Sequence, residues 1–191
     1  MKNKIITFVF ILLSLVVFGQ EKSNVNLLET DSTWNQEVFH FPIPFAPEIK
    51  FEGFEDARFP EFWAKKDSTD FWSYIFVWSI NNPVEITSGI LENNIKMYFN
   101  GLMNYQNSVA LFMEEDPSSN TKKYVGKIKT FDALITKTNM TLNVTVEYFY
   151  CNQSKKTFIV FRFYMFDCPN MIFPSKLSLS SFAQSRSLPG R

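Results

Sequence analysis

The chain has 191 residues, balanced between 19 basic and 19 acidic side chains, with two cysteines and one histidine. That is enough polypeptide for one domain with a proper core, and too little net charge to draw it to nucleic acid or an anionic membrane. One histidine and two separated cysteines also leave no ligand set with the spacing of a zinc site.

Residues 1–19 carry the pattern of a secretory signal peptide: Lys2 and Lys4, an apolar run from Ile5 to Leu13 resumed from Leu15 to Phe18, then the small Gly19. The apolar run is about 14 residues, short of the roughly 20 a spanning helix needs. No cysteine follows it to take a lipid anchor. Cleavage after Gly19 is expected, leaving 17 basic against 19 acidic side chains and a formal charge of −2. The expectation is export by a bacterial Sec-type route to the periplasm or beyond, with no stable membrane span afterwards. Residues 20–36 then read as a polar leader, 37–168 as a single domain and 169–191 as a loosely packed tail.

Phe39 to Phe59 holds six phenylalanines, three prolines and the histidine, His40. Glu37 to Pro42 alternates loosely, as a short strand does. Pro42, Pro44 and Pro47 then interrupt any ladder, because each lacks an N–H. The stretch reads as a proline-stiffened strap whose phenylalanines seal apolar surface at an open edge or end of the sheet. Glu48 to Glu52 and Asp56 to Phe59 are expected to form a hairpin around Gly53.

Asp70 to Ile80 is a strand with both faces largely apolar: Trp72, Tyr74, Phe76, Trp78 and Ile80 on one, Phe71, Ile75 and Val77 on the other. Such a strand is central and covered on both sides. Over 88–104, Leu91, Ile95, Tyr98, Leu102 and Tyr105 recur at four, three, four and three, the stripe of an amphipathic helix. Thr87 or Ser88 suits its N-cap, and Asn100-Gly101 suits an early end. A strand near Ser108–Met113, an acidic turn at Glu114–Asn120 and a β-like Lys123–Ile135 follow.

The last hairpin is the most constrained. Leu142, Val144, Val146, Tyr148 and Tyr150 share one face of the first arm; Ile159, Phe161, Phe163 and Met165 share one face of the second. A four-residue loop, Asn152–Lys155, sets Tyr148 against Ile159, Val146 against Phe161, Val144 against Phe163 and Leu142 against Met165. It also sets Phe149 against Phe158 and Glu147 diagonal to Arg162. In that register Cys168 lies on the order of 40 Å from Cys151, far beyond the reach of a disulfide, so no Cys151–Cys168 bond is expected unless the second strand breaks near Phe166 and folds back.

No GxSxG, HExxH or phosphate-cradling glycine loop is present, and His40, between Phe39 and Phe41, points outward from a strand. Among the carboxylates Glu48, Glu52, Glu55, Asp56, Asp132 and Glu147, Asp132 is the oddest, and reads as the outward residue of a strand. The Asn139, Asn143 and Asn152 glycosylation triplets read as composition.

Aromatic residues make up 17% of the chain, with 22 phenylalanines. The default reading is that these rings fill the core; the alternative is a surplus beyond what one sheet and one helix cover, which would suit a concave apolar pocket. Phe45, Trp63, Trp72, Tyr74 and Trp78 are its expected lining. The fold class expected is α+β, a twisted antiparallel sheet with one principal amphipathic helix packed on one face. The function expected is non-catalytic binding of an apolar small molecule or a protein partner, with no cofactor, no metal and no nucleic acid. The alternatives are a carboxylate-dependent hydrolase using Asp132 or Glu147, and an assembly component that pairs through a sheet edge.

Overall fold

The computed structural model describes residues 26–105, 109–114 and 123–166. Among the described residues there are seven strands: β1 (Asn35–His40), β2 (Gly53–Phe59), β3 (Tyr74–Ile80), β4 (Val109–Glu114), β5 (Lys123–Phe131), β6 (Asn139–Cys151) and β7 (Lys156–Tyr164). They form one antiparallel sheet in the order β1-β2-β3-β7-β6-β5-β4. One helix, α1 (Ser88–Met103), is found among the described residues. The α+β expectation therefore holds coarsely, for a protein that is mostly sheet. No described helix is long and apolar enough to cross a membrane.

The β6–β7 register is the expected one: Tyr148 faces Ile159, Val146 faces Phe161, Val144 faces Phe163 and Phe149 faces Phe158. Arg162 reaches the Glu147 carboxylate at 3.1 Å. Two-residue periodicity on both arms allows only every second register with the apolar faces together, and the four-residue loop selects this one. Cys151 lies opposite Lys156. Cys168, the tail after it and the acidic turn from 115 onward lie outside the described residues, as do residues 1–25.

β3 is buried along its whole length, flanked by β2 and β7. It starts at Tyr74, not Asp70. Residues 70–73 form turns, with the Ser73 amide donating to the Asp70 carbonyl at 2.8 Å and the Trp72 amide to the Trp63 carbonyl at 2.8 Å. Trp72 has φ 53°, outside the β region, and this ends the ladder. Its aromatic neighbours disguise a turn as a strand.

The hairpin expected around Gly53 does not form. Gly53 begins β2 with φ +132°, and a Cβ there would lie 1.9 Å from the Ser79 carbonyl oxygen. Glycine is needed for close strand approach and a backbone angle other residues avoid. The strap ahead of it does not guard an edge either. Ile43, Ala46 and Ile49 are fully buried in the main core, and Phe41 and Phe51 pack their rings on Trp78 at 5.7 Å. The strap lies across the face of the sheet that α1 also covers.

Thr87 caps α1, its hydroxyl accepting from the Ile90 amide at 3.3 Å. The helix passes through Asn100 and Gly101 and ends at Asn104 in the left-handed conformation. Gly101 is an approach point, not a terminator: a Cβ there would sit 1.6 Å from the Phe45 carbonyl oxygen. The buried stripe is Leu91, Ile95, Tyr98, Phe99 and Met103. Leu102 and Tyr105, expected in it, are half-buried and exposed. The stripe packs onto the even face of β3, with Tyr98 stacked on Phe76 at 5.1 Å.

The opposite face is thinner. Leu27 and Leu28, from the stretch expected as a polar leader, are buried against Ile75, Val77, Phe158 and Val160. Asp56 and Arg58 point to the same side. The Asp56 carboxylate accepts from the Leu27 amide at 2.9 Å, from Gln36 Nε2 at 3.0 Å and from the Arg58 guanidinium.

Candidate functional site

The connection from β2 to β3 folds back on itself. The Trp63 amide donates to the Pro60 carbonyl at 3.1 Å, and Trp63 receives the Trp72 amide in turn. These bonds place Trp63 against Phe59 at 5.1 Å and edge-on to Trp72 at 5.6 Å between ring centres. Phe59 in turn stacks on Tyr74 at 5.4 Å. Four aromatic rings from three segments thus form one continuous wall.

Asp132 anchors that wall. It follows β5 and is fully buried, not outward-facing as its place between Phe131 and Ala133 suggested. Its carboxylate accepts from the amides of Leu134 (3.0 Å), Ile135 (2.9 Å) and Thr136 (2.8 Å) and from the Thr136 hydroxyl (2.7 Å). Trp72 Nε1 supplies a further bond at 3.2 Å. Burial pushes the Asp132 carboxyl up, but the bonds from Ile135, Thr136 and Trp72 together outweigh it and hold the group below its ordinary value. A carboxylate so fully occupied is a structural clamp, with no lone pair to spare for acid–base work.

A second wall stands opposite, built from β1, the strap and the helix. Phe45 packs edge-on to Phe39 at 5.6 Å and to Tyr98 at 5.0 Å. Between the walls is a cavity of about 500 Å³, within the usual range for small-molecule sites. Leu102 and Leu134 add aliphatic lining, and Asn35, Gln36 and Glu37 of the edge strand supply the polar side.

Two carboxyl groups belong to this region. Glu37 lines the cavity with its side chain still exposed to solvent, and partial desolvation there raises its pKa. Glu55 lies under the wall, fully buried. Trp78 Nε1 donates to its Oε2 at 2.7 Å, and the Tyr98 hydroxyl contacts Oε1 at 3.0 Å. Burial pushes Glu55 up to about 8, against the pull of those two bonds, with Glu37 and Asp56 adding a smaller push. At neutral pH Glu55 is therefore mostly uncharged. Burial also raises the phenols of Tyr74 and Tyr98 well above their ordinary value, with Glu55 contributing to both. The Tyr74 hydroxyl is buried without a hydrogen-bond partner, although Tyr74 lines the cavity.

Phe45, Trp63, Trp72 and Tyr74, four of the five residues expected as a lining, are brought together here. Trp78 is not. It is fully buried, packed on Phe41, Phe51 and Phe161 and tied to Glu55. Glu37 and the Glu55 contacts were missed; a lone acid next to alternating phenylalanines, Glu37-Val38-Phe39-His40-Phe41, was the available signal. His40 is exposed beside Phe54 on the opposite face of the strand pair. Asp132 and Glu147 do not converge, since Glu147 projects to the thinner face and pairs with Arg162. Among the described residues no group of three or more histidine, cysteine, aspartate or glutamate side chains is placed to hold a metal ion.

Compared with protein-family models, with curated proteins and with solved structures, the chain matches none.

Proposed function

We propose that the chain is an exported, non-catalytic α+β binding protein that holds a small, largely apolar ligand between its two aromatic walls. In this reading the helix is the second layer of the fold, and residues 1–19 serve as the export leader. The observation that carries the proposal is the cavity of about 500 Å³ with seven aromatic side chains around it, Phe39, Phe45, Phe59, Trp63, Trp72, Tyr74 and Tyr98. An apolar core has no reason to leave such a volume unfilled, since voids in packed interiors are destabilising. The walls are also held by hydrogen bonds at Asp132, so the space is built in advance of any guest.

N-phenyl-1-naphthylamine, a neutral apolar fluorophore, tests this directly. Titrated into the purified domain, it should show saturable emission at micromolar protein, displaced by non-fluorescent apolar competitors. Leu134→Trp puts an indole at the exposed end of the cavity and should weaken binding at least tenfold while leaving the folded state intact by circular dichroism. No displaceable binding by the unaltered protein would end the proposal.

A further inference from the structure

Resting on the cavity as a binding site, a narrower question is what charge its guest carries. Among the described residues Glu37 is the one charged side chain in the lining, and no described lysine, arginine or histidine lines the cavity. Among the described residues the Glu37 carboxylate makes no hydrogen bond or ion pair. Its neighbours in the lining are aromatic rings, whose faces carry negative potential and attract cations. The one buried polar atom left without a partner on these walls, the Tyr74 hydroxyl, carries no positive charge either. A fatty-acid carboxylate or a phosphate would meet an acid and π faces with no cation to receive it.

We infer that the cavity takes an organic cation, an ammonium or quaternary ammonium head on an apolar body, with the head at Glu37 and the body between the aromatic walls. The guest's head would give this exposed carboxylate an ion-pair partner at the mouth of the aromatic walls. The rings receive both the hydrocarbon and the diffuse charge of alkylated nitrogen, which is weakly hydrated and cheap to bury beside a π face. Asn35, on the same strand and the same face as Glu37, keeps that side of the cavity polar.

Benzyltrimethylammonium and neopentylbenzene differ only by nitrogen for carbon at the quaternary centre, and 3-phenylpropionate supplies an anion of similar size. Each is competed against N-phenyl-1-naphthylamine on the whole domain at pH 7.5 and low salt. The cation should bind at least tenfold tighter than its neutral isostere, with the anion weakest. Glu37→Gln, on an exposed edge strand, should lower cation affinity at least fivefold and leave neopentylbenzene within twofold. Glu37→Lys should reverse the order in favour of the anion. A short peptide bearing trimethyllysine, run in parallel, separates a side-chain guest from a free one: tighter binding than benzyltrimethylammonium assigns the head group to a polypeptide, weaker binding to a free small molecule.

A neutral isostere that matches or beats the cation, or a preference unchanged in Glu37→Gln, overturns the inference while the cavity reading stands. Failure of every probe, including the naphthylamine, overturns both.

Discussion

Glu55 and Asp56 are neighbours on β2, yet they enter opposite faces of the sheet and are accommodated in opposite ways. Asp56 meets the guanidinium of Arg58, two residues along the same strand, plus the Leu27 amide and Gln36. Glu55 meets an indole and a phenol and no cation, so burial leaves its proton on. Both solutions satisfy a buried carboxyl, but only the second keeps the face free of positive charge. The difference extends to what surrounds each group. The thinner face is sealed by two leucines packed directly over Ile75, Val77, Phe158 and Val160. The helix face is covered by the strap and α1, and its aromatic walls stand apart around a cavity. Neighbouring positions on one strand thus separate a sealed structural face from a face with room for a guest.

The largest effect that would break this contrast is in the pH dependence of stability. With a folded pKa of about 8 against an ordinary 4.5, Glu55 binds its proton more tightly in the folded state. Its contribution is fully present below about pH 4.5 and is lost as pH rises toward 8. The loss is on the order of 4–5 kcal/mol across that window. Glu55→Gln cannot ionise, so the difference in urea unfolding free energy between it and the unaltered protein should change by that order between pH 4.5 and 8.5. An invariant difference would mean that Glu55 is charged and the two faces are not distinct.

A somewhat smaller effect is expected on the other face. Arg58→Met strands Asp56 in the interior with only neutral donors and should cost about 3 kcal/mol. The double variant Asp56→Leu/Arg58→Met should recover much of that loss, because an apolar pair needs no counter-charge. If Arg58→Met costs under about 0.5 kcal/mol, the pair behaves like a surface contact and the face is wetter than its burial implies.

The parts of this molecule legible from sequence are those set by local periodicity. The β6–β7 register follows from two alternating arms and a short loop, and α1 follows from its spacing and its Thr87 cap. Phe45, Trp63, Trp72 and Tyr74 do border one cavity, but composition alone could not separate a lining from a core. Trp78 was indistinguishable from them, since its role is set by Glu55, its direct partner across the β2–β3 ladder. That pairing joins elements separated by a folded connection, so no short-range pattern announces it. Asp132 misled for a similar reason: alternation on a strand says outward, but the strand ends there and the following amides turn back onto the carboxylate. Leu27 and Leu28 misled by dilution, two apolar residues in a polar stretch that nevertheless cover a face. Gly53 and Gly101 look like breakers and are instead points where two backbones touch, a property of the partner and not of the neighbouring sequence.

The most direct measurement of the central claim compares the two faces under ligand. With leucine and valine methyls labelled for NMR, N-phenyl-1-naphthylamine should shift Leu102 and Leu134, which line the cavity, and leave Leu27, Leu28, Val77 and Val160 on the thinner face unmoved. Shifts centred on Leu27 and Leu28, or no saturable shift at Leu102 and Leu134, would contradict it.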